Sequence, residues 1–76
     1  MKTCKVKLNA YGELLNFVNA ASNFESAVDI VTGSHKINCK SLLGMMTLDL
    51  TAPVELRVHG DHPEKFVNAI QAYLVA

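Results

Sequence analysis

The hydrophobic period of this chain switches repeatedly between two and about 3.6, and the order of the switches constrains the fold more than any other feature. Cys4, Val6 and Leu8 alternate with Lys5 and Lys7, as in a strand with one wet face. From Glu13 the apolar residues follow a helical stripe through Leu14, Leu15, Val18 and Ala21, widened by Phe17 and Ala20. Asn16 and Asn19 fall on the other side, and the helix is expected to end around Ser22-Asn23.

Ala27 to Val31 and His35 to Cys39 read as a hairpin closed by Thr32-Gly33-Ser34, with Val28, Ile30, Ile37 and Cys39 inward. Ser41 then opens a helix of two turns, and Thr51-Ala52-Pro53 ends that region because proline donates no amide hydrogen. Val54, Leu56 and Val58 alternate with Glu55, Arg57 and His59 as a last strand. Pro63 begins a further helix, with Asp61 and Glu64 at capping-box spacing. Its apolar face runs through Phe66, Val67, Ile70, Tyr73 and Leu74.

The resulting order, β-α-β-β-α-β-α, places the chain in the α+β class. Each strand has one apolar face and each long helix one stripe, so a mainly antiparallel four-stranded sheet covered on one face by helices buries both. A ferredoxin-like order shares the first six elements, but not the short second helix or the helix after the last strand. A chain of 76 residues supports one core, so residues 1–76 form a single domain.

Composition narrows the functions. Half the residues are hydrophobic and 18% are charged, with seven basic against seven acidic side chains. A net charge near zero and no basic patch interleaved with aromatics argue against nucleic-acid binding. No apolar run approaches the ~18 residues of a membrane span, and Met1-Lys2-Thr3-Cys4-Lys5 leads into no signal-peptide core. A cytoplasmic monomer is the expectation. Cys4 and Cys39 lack CxxC spacing and read as reduced core residues. His59 and His62 have no third ligand close in sequence, so neither a metal nor any other cofactor is expected.

The element order, together with Asn16-Phe17-Val18, Phe24 and Lys40-Ser41-Leu42-Leu43-Gly44-Met45-Met46-Thr47-Leu48, resembles HPr, the histidine-containing phosphocarrier family of the bacterial sugar phosphotransferase system. The resemblance implies an open-faced β-sandwich with strand order 1-4-2-3 and three helices on one face. It also implies a phosphate-accepting histidine at the start of the first helix, within a Gly-Leu/Ile-His-x-Arg-Pro-Ala pattern. The matching region here is Tyr11-Gly12-Glu13-Leu14-Leu15-Asn16, with no histidine, arginine or proline.

Two functions follow. In the first, the chain is a non-catalytic regulatory or docking module, like the family's catabolite-repression homologue, which lacks the histidine and keeps the serine. The partners so implied are phosphotransferase-system or HPr-kinase-like proteins. Ser41 corresponds to the family's regulatory phosphoserine, and Leu42, Leu43, Met45 and Met46 to its partner-docking patch, with Leu43 the residue expected to be most exposed. Lys40 stands where it could offset part of a phosphate's charge. The alternative is a phosphocarrier with a relocated acceptor such as His35. On the implied topology His35 lies at the same end of the sheet as the first helix start, but roughly 10–14 Å away at ~4.8 Å per strand. His59 and His62 lie at the opposite end.

Overall fold

The computed structural model describes residues 1–75. Five strands form one sheet: β1 (Lys2–Val6), β2 (Val28–Thr32), β3 (His35–Asn38), β4 (Val54–Val58) and β5 (Leu74–Val75). Their order is β3-β2-β4-β1-β5 and every pairing is antiparallel. The four longer strands therefore lie in the expected 1-4-2-3 order, and β5 is an addition at the outer edge of β1. The helices are α1 (Tyr11–Asn23), α2 (Leu42–Met45) and α3 (Pro63–Ala69), followed by a 3₁₀ turn at Gln71–Tyr73.

Alternation fixes which sheet face is covered. Val6, Val28, Ile30, Leu56 and Val58 are fully buried, and the helices meet them with Leu14, Phe17, Ala21, Met45, Phe66 and Ile70. Phe66 is the centre of the aromatic packing, edge-on to Phe17 at 5.5 Å and tilted against Phe24 at 5.4 Å. The other face carries Lys5, Glu55, Arg57 and His59. There Asp29, nearly buried, meets the His59 imidazole at 3.0 Å, which satisfies a carboxylate that burial would otherwise penalise. Gly60 adopts φ +97°, and a Cβ there would collide with the Ser26 side chain, so the turn out of β4 requires glycine.

Five local expectations need correction. Helix α1 begins at Tyr11 rather than Glu13, because the Glu13 carboxylate accepts the Asn9 amide hydrogen at 2.9 Å and Leu14 N–H already bonds Ala10 O. Leu15 is exposed, since Leu14, Phe17, Val18 and Ala21 already fill the stripe that faces the core. Helix α2 is one turn, not two; after Met45 the chain tightens into i→i+3 bonds from Thr47 to Gly44 and from Leu48 to Met45. No Asp61–Glu64 capping box forms, because His62 is the N-cap of α3 and Pro63 removes one of the orphan donors. Helix α3 ends at Ala69, and Leu74 belongs to β5, pairing with Val6 across the edge of β1. Lys7 N–H donates to Tyr73 O at 2.9 Å and extends that pairing.

Candidate functional site

Residues 38–46 are built by local hydrogen bonds. The Asn38 side chain accepts the Lys40 amide at 2.9 Å, and the Asn38 carbonyl accepts the Ser41 amide at 3.0 Å, turning the chain from β3 into α2. Ser41, with extended backbone at φ −96°, ψ 107°, is the N-cap, and its Oγ accepts the Gly44 amide at 3.2 Å. A Cβ at Gly44 would come within 3.3 Å of both Ile37 Cγ2 and Ser41 Oγ. Glycine thus lets α2 settle on β3 and keeps the serine hydroxyl uncrowded.

The four apolar residues after Ser41 divide sharply. Leu43 is 80% exposed, Leu42 and Met46 are about half exposed, and Met45 is completely buried. Met45 is therefore a core side chain and not part of a docking surface, a correction to the patch expected from the sequence. The helical geometry explains it: one turn laid on a sheet must send one side chain straight down, and position 45 takes that role. Leu42 and Met46, next to it on the turn, keep about half their surface exposed.

Lys40 does not reach toward Ser41. Its Nζ donates to the Phe24 carbonyl at 2.8 Å, tying α2 to the C-terminal end of α1, where a cation suits the helix dipole. Sequence proximity could not show this, because the partner lies 16 residues away. Two exposed apolar side chains were also missed, Tyr11 and Leu15. Their i, i+4 spacing puts them on one face of α1, which packs beside α2. The available signal was that Leu15 is surplus to a complete stripe.

At the start of α1 the N-cap Ala10 offers no side-chain bond. Among the described residues, the side chain that reaches back over the first turn is Glu13, through its bond to Asn9 N–H. His35 is exposed on β3 opposite Thr32, in the hairpin and not at the start of α1. His59 pairs with Asp29, and His62 Nδ1 lies 3.5 Å from Glu64. Among the described residues no three His, Cys, Asp or Glu side chains gather as a metal site. Both cysteines are free. Burial pushes the thiols of Cys39 and, less strongly, Cys4 upward, away from the reactive thiolate. No helix among the described residues is long and apolar enough to cross a membrane.

The family model for the HPr component of the phosphotransferase system, described by its phosphorylation site, matches residues 15–76. The chain belongs to the HPr family. HPr-C-His from Thermoanaerobacter tengcongensis superposes with a TM-score of 0.78 at 29% identity, over 95% of this chain and 89% of that one. The Bacillus subtilis catabolite-repression protein Crh, described as a domain-swapped intertwined dimer, gives 0.67 at 26% identity over 95% and 88%. The phosphocarrier HPr of Bacillus anthracis str. Ames shares the fold, with a TM-score of 0.77 at 24% identity over 97% and 94%. No curated protein sequence matches the chain. Members of the HPr family interact with other proteins of the phosphotransferase system, which sets the kind of partner for this one.

Proposed function

We propose that this chain is a non-catalytic, cytoplasmic HPr-family module that docks on phosphotransferase-system or HPr-kinase-like proteins through Leu42, Leu43 and Met46, with Ser41 as its regulatory phosphorylation site. The observation that carries the reading is the Glu13 carboxylate bonded to Asn9 N–H at the start of α1. Phosphoryl transfer at a helix N-terminus needs a nucleophile and free positive potential for the phosphate oxygens. Here a carboxylate already uses that potential and would repel an incoming phosphoryl group. Tyr11, exposed at the same helix start, has no side chain among the described residues hydrogen-bonded to its hydroxyl that could act as a base.

The start of α2 is the opposite case. Ser41 is exposed, its oxygen already faces an amide, and a phosphate there would keep that bond while meeting the positive end of the turn. With Lys40 held by Phe24 O, most of the added ~1.5–2 negative charges would stand beside the exposed leucines. Docking would change without a change of backbone.

Incubation of the chain with enzyme I and phosphoenolpyruvate, followed by acid treatment and mass measurement, tests the loss of carrier function. No acid-labile phosphate is expected. Stoichiometric phosphohistidine would overturn the reading, and a His35→Ala variant would then show whether the acceptor had moved to β3.

A further inference from the structure

The two edges of the sheet are finished differently. On the β1 side the chain caps its own edge with β5, whereas β3 is the last strand on the other side, and among the described residues no strand pairs with its outer edge. The register fixes which of its backbone groups are open. Cys39 N–H bonds Val28 O at 2.9 Å, and bonded and non-bonded pairs alternate along an antiparallel ladder. The Ile30–Ile37 and Thr32–His35 pairs are therefore bonded, and the Val31–Lys36 pair is not. The N–H and C=O of Lys36 consequently point away from β2, into the open edge.

That edge is more than a bare strand. Beside it lies a groove of about 480 Å³, lined by Thr32, His35, Lys36 and Ile37 of the hairpin and by Thr47, Leu48 and Asp49 of the segment after α2. Ile37 and Leu48 are half-buried apolar surfaces that pack on the core, and Asp49 is fixed in the wall by bonds from Thr51 N–H and Oγ–H. The Lys36 side chain stands on the opposite sheet face, 65% exposed, with Nζ 4.0 Å from Asp29.

We propose that the β3 edge accepts an extended peptide segment of a partner protein, one that alternates apolar and acidic residues. An added strand bonds through its backbone and is selected by alternate side chains. The residue bonded opposite Lys36 shares its sheet face, where an acidic side chain gains a cross-strand ion pair. The residues on either side of it enter the groove against Ile37 and Leu48, where apolar groups are favoured and the Asp49 carboxylate repels acids. A second copy of this chain fits badly. Two β3 edges brought together antiparallel set Lys36 of one near Lys36 of the other, and like charges at cross-strand positions are unfavourable.

The test is an amide NMR titration of the full chain with a blocked hexapeptide of alternating valine and glutamate. Shifts centred on Lys36 and slowed exchange of its amide hydrogen are expected. Two further peptides separate strand addition from loose charge attraction. N-methylation at the glutamates removes the donors aimed at β3 and should weaken binding at least about tenfold, the equivalent of one lost hydrogen bond. N-methylation at the valines leaves those donors intact and should leave binding nearly unchanged. Lys36→Glu, an exposed substitution, should exchange the preference for glutamate peptides for one for lysine peptides. The proposal is overturned by equal binding of both methylated peptides, by shifts confined to residues 41–46, or by no shift at millimolar peptide. Protection of the Lys36 amide that grows with protein concentration alone would assign the edge to a second copy and overturn it too.

Discussion

The first turns of α1 and α2 place opposite kinds of group at the positive end of a helix. At α1 a carboxylate from within the helix, Glu13, reaches back to Asn9 N–H, and the N-cap Ala10 contributes nothing. At α2 a neutral hydroxyl, Ser41 Oγ, accepts the Gly44 amide. The first arrangement fills the site with negative charge. The second leaves an exposed oxygen beside amide donors and an apolar shoulder. On the function proposed above, the α2 start is the one that takes a phosphate, although the family resemblance implies a carrier histidine at the α1 start.

Four substitutions sharpen or break that contrast, and the two faces of α2 give the largest effect. Met45→Asp places a carboxylate in the core and should cost at least about 3 kcal/mol, enough to unfold a domain of this size in mild urea. Leu43→Asp should cost under ~1 kcal/mol in the same titration while weakening partner binding. Equal and severe destabilisation by both would show that α2 has no docking face. Next is the cap itself. Ser41→Ala should lose about 1 kcal/mol, measured as a lower urea midpoint at unchanged slope. Glu13→Ala should lose less, about 0.3–1 kcal/mol, because its contribution is an exposed charge at a helix start. If Glu13→Ala proved the costlier of the two, the carboxylate would be structural in a way the comparison does not provide.

The smallest effect lies at the exit from α2. Hydrogen bonds from the Thr51 side chain and backbone hold the Asp49 carboxyl below its ordinary range. A depressed folded-state pKa contributes stability above the unfolded value, near ~3.9, and that contribution is lost as pH falls through the folded value. Asp49→Asn should therefore slightly lower stability at neutral pH, leave it unchanged in strong acid, and so flatten the acid limb of a stability–pH curve. A loss in strong acid as large as that at neutral pH would contradict this.

The inward faces of β1, β2 and β4 were legible because period-two alternation reports burial directly, and Val6, Val28, Ile30, Leu56 and Val58 are where alternation puts them, whereas the strand order came from the family resemblance alone. The exposure of Leu43 was legible for the same kind of reason. What stayed hidden depended on partners far away in sequence. Met45 is buried because α2 settles on β3 through Gly44, and Lys40 is occupied because the end of α1 lies above it. The helix-like spacing of Tyr73 and Leu74 concealed β5, since a short apolar segment serves a helix or an edge strand equally well until β1 offers its open bonds.

The most direct measurement is ATP-dependent phosphorylation by an HPr kinase/phosphorylase, comparing the wild-type chain with Ser41→Ala and mapping the phosphate by peptide mass. The predicted result is a single phosphate on Ser41 in the wild-type chain and none on the variant, with the amide spectrum of the phosphorylated protein altered only around α2. Equal labelling of both proteins, or labelling of neither, would contradict the account and leave Ser41 as a helix cap alone.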